Sequence, residues 1–223
     1  MKQGIFTIES NAALTDSVYR MVLSGDTSAI TAPGQFVNIQ LSGKFLRRPI
    51  SVCDYDEKTL TIVYKVVGKG TAQMAAMQAG ETLDILTGLG NGYDLSLTGD
   101  APVLLGGGVG VPPMYNLAKK LLAQGKKVIV ILGFNTKSEI FYEQEFKDLG
   151  CTVTVTTVDG SYGKKGFVTD ALPEEYTHFC CCGPEPMLKA VYRATNTSGQ
   201  MSFEERMGCG FGACMGCSCK TLT

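Results

Sequence analysis

The sequence predicts an antiparallel β-barrel over residues 1–97, followed by an α/β domain with a parallel sheet over residues 98–200. The first hundred residues contain short segments rich in β-branched and aromatic residues, and glycine and proline separate them, which is typical of a barrel. Beyond Gly99, nearly all-apolar strands alternate with helical segments, which indicates a parallel sheet covered on both faces. A third segment, residues 201–223, contains four of the nine cysteines.

The barrel prediction depends on six strand-like stretches, which are GIFTIESN, VYRMVLS, GQFVNIQL, RPISVCDYD, TLTIVYKVV and ETLDILTG. The stretch TAQMAAMQAG predicts one helix among them, with Thr71 as its N-cap and Gly80 just past its end. In RRPISV, Pro49 has no N–H to donate, so this strand is predicted to lie at a sheet edge or to be irregular.

The second half alternates between strands and helices. APVLLGGGVG predicts a buried strand that enters a glycine turn, and VPPMYNLAKKLLAQG predicts a helix with proline at its start and Gly125 at its end. The stretches that follow are KKVIVILGF, a helical SEIFYEQEFKDLG, CTVTVTTVDG, GFVTDALPE, THFCCCG and PEPMLKAVYRATNTSG.

The composition excludes several classes of function. The chain has 223 residues, 44% of them hydrophobic and 18% charged, and a net charge of −1, which disfavours a nucleic-acid partner. No apolar run reaches the roughly 20 residues that span a bilayer, and the N-terminus resembles no signal peptide. We therefore expect a cytoplasmic protein without a membrane anchor, in which cysteines serve as metal ligands or catalytic thiols. A single histidine, His178, disfavours catalysis by histidine bases.

Two strand ends in the second domain are candidate ligand sites. The glycines of residues 106–110 let a backbone approach a pyrophosphate at a helix N-terminus. Because their spacing is not G-x-G-x-x-G, a tight turn without a ligand stays an open alternative. Cys182, Gly183 and Pro184 follow another strand, and the two turns are expected to line one crevice at the carboxyl edge of the sheet.

The barrel contains two further candidate anion sites. Arg48 and Ser51 flank Pro49 and could hold a phosphate and a heterocycle, although a surface arginine beside a turn is the simpler interpretation. Gly70 and Thr71 lie at the start of the predicted helix, where free N–H groups accept anions. Together, the anion sites of the two domains indicate two phosphate-bearing ligands.

The motifs RRPIS, YKVVGKGT, LLGGGVGVPPMY, DGSYGKKGFVTD and CCCGPEPML, together with the terminal cysteines, resemble the electron-transfer subunits of dihydroorotate dehydrogenase B. That family lies within the ferredoxin–NADP reductase superfamily. The resemblance covers the whole chain in order. It implies a flavin-binding barrel, a nicotinamide-binding α/β domain and a small [2Fe–2S] lobe.

The resemblance also assigns residues to cofactors. In the barrel, the residues implied for FAD are Arg48, Pro49, Ile50, Ser51, Lys65, Val66, Val67, Gly70 and Thr71. In the α/β domain, the residues implied for the nicotinamide nucleotide are Gly106, Gly107, Gly108, Val109, Gly110, Gly183 and Pro184, with Cys182 as the catalytic thiol. The strand VIVILGFNTKSE ends without an arginine for a 2′-phosphate, which favours NAD, although Lys137 lies nearby.

The terminal cysteines are predicted iron ligands. Cys209, Cys214 and Cys217 have the C-x4-C-x2-C spacing of plant-type [2Fe–2S] sites, and a zinc site is the alternative. Intervening glycines suit a loop that turns its N–H groups toward sulfur. The family's fourth cysteine lies a dozen or more residues further on, so we expect a shortened segment without it. Cys219 is not expected to be a ligand.

The implied function is electron transfer from NADH through FAD and the cluster to the FMN of a dihydroorotate dehydrogenase catalytic subunit, in a two-plus-two heterotetramer. Two alternatives stay open. One is the small subunit of an NADH-dependent ferredoxin:NADP oxidoreductase or sulfide dehydrogenase, which tends to have aspartate where Cys209 stands. The other is a zinc-binding adaptor that is not an enzyme.

Overall fold

The structure is a computed structural model that describes residues 1–217. Its first half is a closed antiparallel barrel with the strand order β1-β2-β5-β4-β3-β6. The strands are β1 (Lys2–Ala13), β2 (Val18–Ser24), β3 (Phe36–Gln40), β4 (Arg48–Tyr55), β5 (Thr59–Lys65) and β6 (Thr82–Leu89). Alternate side chains such as Phe6 and Ile8 fill the barrel interior, which confirms the predicted barrel.

Strand β4 pairs with a different neighbouring strand in each of its halves. Its first half, Arg48–Ser51, pairs with β3 alone, and pairing with β5 begins at Val52 with a register shift before Asp54. A closed barrel has no edge strand, so the predicted irregularity is correct and the predicted edge is wrong. The missing N–H of Pro49 costs no ladder bond because β4 and β5 diverge there.

Helix α1 (Lys69–Ala76) begins earlier than predicted. Its N-cap is Gly68, so the prediction of Thr71 as N-cap is wrong. Thr71 is the third helical residue, and its hydroxyl accepts from the backbone N of Val67 at 2.9 Å and of Gly68 at 3.2 Å. One hydroxyl thus orders the turn that enters the helix.

The second half is a parallel sheet with the strand order β10-β9-β8-β7-β11-β12. Its strands are β7 (Pro102–Gly107), β8 (Ile129–Phe134), β9 (Thr152–Thr157), β10 (Lys164–Lys165), β11 (His178–Cys182) and β12 (Gly199–Ser202). The helices are α2 (Pro112–Ala123), α3 (Glu143–Asp148) and α4 (Glu185–Ala194). Helix α3 is shorter than the sequence indicates because Tyr142 takes a left-handed conformation, with φ 68°, directly before it.

The two halves share one apolar core. Cys53 and Val63 of the barrel pack in the same cluster as Leu104 and Leu117 of the α/β half. Asp54 of β4 reinforces the contact, since its carboxylate accepts from Asn116 Nδ2 at 2.6 Å and pairs with an α2 lysine at 2.8 Å. This packing fixes the position of each half against the other.

The domain limits stay predictions. The proposed boundary at residues 97/98 falls in the connection between β6 and β7, whereas β12 extends the parallel sheet to Ser202, past the proposed limit at residue 200. Across residues 1–217, no helix combines the length and apolar character that crossing a membrane requires.

Candidate active site

A cleft of about 790 Å³ lies between the barrel and the parallel sheet. One wall is made where β4 and β5 diverge, from Arg48–Ser51 on one side and Val63–Lys65 on the other. The opposite wall is made by the turns that follow β7 and β11. The cleft therefore lies at the carboxyl edge of the parallel strands, where open α/β sheets bind ligands.

The barrel wall contains a positively charged corner. The Arg48 guanidinium lies against the first turn of α1, so that a Cβ placed on Gly70 would be 3.0 Å from its Cζ. Arg48 Nη1 donates to the carbonyl of Leu46 at 2.5 Å, which holds the side chain in place. The first N–H groups of a helix have no partner within the helix, so a guanidinium and a helix N-terminus here face the same point. This corner suits a phosphate group.

The sheet wall depends on close approach of two backbone turns. A Cβ placed on Gly110 would lie 2.7 Å from the backbone N of Gly183, and one on Gly183 would lie 3.3 Å from the backbone N of Gly107. Glycine is thus required sterically at position 110, where the first turn meets the backbone of the second. The expectation that they line one crevice agrees with this geometry.

The N-terminus of α2 offers fewer donors than the sequence suggests. Its first two residues, Pro112 and Pro113, have no N–H, and the N–H of Val111 already donates to the Gly108 carbonyl. Gly108 has φ +52°, and a Cβ there would meet nothing within 4 Å. The turn of residues 108–110, rather than the helix end, therefore presents the backbone to the cleft.

Cys182 lines the cleft beside these turns. Burial raises the pKa of Cys182 to about 11, and a hydrogen bond with the Ser202 side chain opposes part of that increase. The thiol is therefore neutral near pH 7. Behind it, the Tyr93 hydroxyl donates to the Cys181 carbonyl at 2.9 Å. This bond holds the segment between β6 and β7, which joins the two halves, against β11.

Most of the residues predicted to bind cofactors line this one cleft. Those that do are Arg48, Pro49, Ile50, Ser51, Lys65, Val67, Thr71, Gly107, Gly108, Val109, Gly110, Cys182, Gly183 and Pro184. Three do not: Val66 donates its N–H to Ser17, Gly70 lies beneath Arg48, and Gly106 is buried within β7.

Sequence reasoning did not identify three further groups of lining residues. Phe36 of β3 lines the barrel side, and Asn135 and Glu139 line the end of β8. Phe167 lies in the motif DGSYGKKGFVTD, which supported the family resemblance but was given no role. The position of Glu139 shortly after an apolar strand was the available signal for an acidic group near a nucleotide ribose.

The cysteine segment, which we define as residues 208–217, lies against the barrel. Asn38 of β3 donates from Nδ2 to the Cys209 carbonyl at 3.3 Å, and a Cβ on Gly210 would lie 2.7 Å from that nitrogen. The N–H of Cys214 donates to Cys209 Sγ at 3.5 Å, and together with other backbone N–H groups it lowers the pKa of Cys209 to about 6.

These donors fit a thiolate metal ligand. Within residues 1–217, however, no three cysteine, histidine or acidic side chains are close enough to hold a metal ion. The structure thus does not bring Cys209, Cys214 and Cys217 together as a completed site. Cys219 lies outside the described residues.

Comparison with known proteins agrees with the fold. The family profile of the oxidoreductase NAD-binding domain matches residues 104–193. A solved NADH-dependent reduced ferredoxin–NADP oxidoreductase is 31% identical, with a TM-score of 0.86 over 96% of this chain and 81% of its own. A ferredoxin–NADP+ reductase from Neisseria gonorrhoeae shares the fold at 18% identity, with a TM-score of 0.77 over 91% and 98% of the two chains. The fold and cleft define a reductase of the ferredoxin–NADP reductase type.

Curated relatives narrow that class. An electron transfer subunit of dihydroorotate dehydrogenase B (NAD+) from Fusobacterium nucleatum is 46% identical over 99% of this chain and 90% of its own length. The corresponding Geobacillus sp. subunit is 43% identical over the same shares. The chain belongs to the family of dihydroorotate dehydrogenase B electron transfer subunits, and the predicted resemblance is confirmed.

Proposed function

We propose that this chain takes electrons from NADH onto FAD and passes them, through a [2Fe–2S] cluster, to the FMN of a dihydroorotate dehydrogenase catalytic subunit. The observation that carries the proposal is the single cleft in which a phosphate-binding corner of the barrel faces a glycine turn of the parallel sheet. Two nucleotides bound there would have their reactive rings between the same two walls.

The barrel wall would hold FAD. Arg48 and the first turn of α1 would bind its pyrophosphate, while Pro49–Ser51 and the end of β5 would enclose the flavin ring. When bound, FAD supplies hydride acceptance and release of single electrons. The chain's own part is to position the ring and exclude water, since the divergent strands are joined beneath it by the barrel core.

The sheet wall would hold NADH. The turn of residues 108–110 would approach its pyrophosphate, and Gly183 with Pro184 would close the other side. Cys182 would contact the nicotinamide as a neutral thiol, which adds no charge beside the reacting ring. Because no described histidine lines the cleft, acid–base catalysis by histidine has no part in the proposal.

The route out of the cleft would run through the cysteine segment. We propose Cys209, Cys214 and Cys217 as cluster ligands, with Cys219 not among them. Phe36 supports this route, because it lines the cleft and its ring would be 3.6 Å from a Cβ on Gly210. We propose as the partner an FMN-containing catalytic subunit, in a cytoplasmic two-plus-two complex of pyrimidine biosynthesis. The name of the related family, an electron transfer subunit, supports the existence of a partner subunit.

A second candidate is the small subunit of an NADH-dependent ferredoxin:NADP oxidoreductase, which the 31% identity and TM-score of 0.86 support. The higher identity to dihydroorotate dehydrogenase B subunits, 46%, favours the first candidate.

The test is a visible spectrum of the purified protein with iron and zinc assays, followed by anaerobic titration with NADH. We expect flavin absorption that NADH bleaches. Orotate reduction by NADH after addition of the FMN-containing subunit would separate the first candidate from the second. A colourless protein that contains zinc would overturn both and favour the adaptor.

A further inference from the structure

We infer that Glu139 selects NAD over NADP, because its carboxylate lies where the adenosine ribose would bind and would accept the 2′-hydroxyl but repel a 2′-phosphate. The inference rests on the proposed function, since it assumes that the sheet wall binds a nicotinamide nucleotide. Glu139 is the last residue of the stretch VIVILGFNTKSE, whose lack of an arginine favours NAD.

Glu139 is fixed in the cleft by its neighbour. It follows β8 and lines the cleft together with Asn135. Its Oε2 accepts from the backbone N of Asn135 at 3.3 Å and from Asn135 Nδ2 at 3.0 Å. Across residues 1–217, Glu139 Oε1 has no hydrogen-bond partner. The carboxylate is thus held by one oxygen and presents the other.

The sheet register places this carboxylate at the correct end of a bound nucleotide. Gly133 of β8 pairs with Gly107 of β7, so the end of β8 lies directly beside the glycine turn. A pyrophosphate on residues 108–110 leaves the adenosine half to extend across the end of the next strand. An acidic group at that strand end meets the ribose hydroxyls.

The cation nearest in sequence does not compensate the charge. Lys137 is the cation close enough in sequence to bind the 2′-phosphate of NADP. Its Nζ lies 5.9 Å from the centroid of the Tyr162 ring, and its backbone N donates to Ser161 Oγ at 2.8 Å. Lys137 is not among the described residues that line the cleft. A 2′-phosphate would therefore meet the Glu139 carboxylate without a counter-charge from Lys137.

The physical basis is discrimination by a charged acceptor. A carboxylate gains a charge-assisted hydrogen bond from a ribose hydroxyl, whereas a phosphate in its place brings two like charges into contact. A site built in this way rejects the wrong ligand by leaving it unpaired or repelled, rather than by binding the correct ligand more tightly.

The test compares binding of ADP-ribose and 2′-phospho-ADP-ribose by calorimetry, which needs no electron transfer. For Glu139→Gln, which keeps an acceptor for Asn135, we expect the preference for ADP-ribose to fall by about tenfold or more. Glu139→Lys should reverse it. Steady-state assays with an artificial acceptor should show the change in the KM for NADPH, with kcat nearly constant. Glu174→Gln, which removes an exposed carboxylate outside the cleft, is the matched control.

The outcomes separate this inference from the proposed function. If the unaltered protein binds ADP-ribose and Glu139→Gln leaves the preference unchanged, the inference is overturned and the proposed function stands. If the unaltered protein binds neither nucleotide, the nucleotide site itself is wrong. If Glu174→Gln changes the preference as much as Glu139→Gln does, the effect belongs to net charge and the inference is again overturned.

Discussion

The cleft and the cysteine segment are two candidate sites of opposite construction. The cleft is enclosed by strands and turns from both halves of the molecule, which a shared apolar core holds together. The cysteine segment forms no helix or strand, and most of its side chains are exposed. Packing thus forms the first site before any ligand arrives, whereas the second would gain much of its order from a bound metal.

The cleft and the cysteine segment lie close together. Asn38 and Phe36, two residues apart on β3, connect them: the first bonds the carbonyl of Cys209, and the second lies between Gly210 and the cleft. We therefore predict that substitutions in the cleft will abolish nucleotide binding without loss of iron. Substitutions at Asn38, which we call the anchor of the cysteine segment, should cause loss of iron without loss of nucleotide binding.

The largest effect is expected from Gly110→Ala. The new methyl group would lie 2.7 Å from the backbone N of Gly183, so one of the two turns must move. A displacement of about 1 Å lowers rates by about 100-fold, and we expect NADH reduction of the flavin to fall by at least that factor. Stopped-flow absorbance measures it. Gly4→Ala is the control, since its methyl group would lie at an ordinary 3.5 Å from Phe6. An unaltered rate would show that the turns are not preorganised.

The next effect is expected at the barrel wall, from Arg48→Ala. Removal of the guanidinium takes a charged donor from the phosphate corner, and such bonds contribute about 1.5–3 kcal/mol. We expect the FAD dissociation constant to rise by about tenfold to 100-fold, measured by flavin fluorescence. Arg48→Lys should recover part of the affinity. Arg193→Ala removes an exposed arginine of α4 and should change nothing, and an equal loss there would assign the effect to net charge.

The sequence predicted the parts of the fold that depend on local pattern. Six short strands and a glycine turn after an apolar strand are visible in one stretch at a time. The N-cap of α1 was misplaced at Thr71, because a threonine hydroxyl can cap from the third helical position as well as from the first. Sequence pattern alone does not distinguish the two.

Contacts between distant residues were beyond sequence reasoning. Asn38 and Cys209 are 171 residues apart, and only the folded barrel shows that they meet. In the same way, Pro49 indicated an irregular strand but not that β4 and β5 diverge to open the cleft. The motifs thus identified most of the residues that line the cleft, whereas the contact that anchors the cysteine segment required the tertiary structure.

A smaller effect is expected at the anchor, from Asn38→Leu. The change removes the bond to the Cys209 carbonyl and also the buried Oδ1, which has no hydrogen-bond partner among the described residues. One hydrogen bond contributes about 1 kcal/mol, so a chelator should remove iron about fivefold faster. FAD content and NADH reduction should stay unchanged. Gln40→Leu, on the same strand but bonded to the loop that follows, is the control. Loss of FAD in Asn38→Leu would contradict the separation of the two sites.

The smallest effect concerns His178, which is buried beneath the strand that leads to the cysteine segment. Its Nε2 lies 3.2 Å from Gln200 Nε2, and the same amide donates to the Asp94 carbonyl at 2.9 Å. Burial, assisted by the charge of Lys126, lowers the pKa of His178, so the folded protein keeps the ring neutral.

Since the unfolded chain protonates this histidine at about pH 6.5, its contribution to stability is complete above that pH. The contribution is lost as the pH falls below 6.5 through the lower pKa of the folded state. We expect His178→Gln to reduce the difference in Tm between pH 7.5 and pH 5.5, measured by calorimetry. An equal pH dependence in both proteins would show that protonation of His178 is not coupled to folding. A reduced dependence would show that folding buries His178 as the neutral ring at the edge of the sheet.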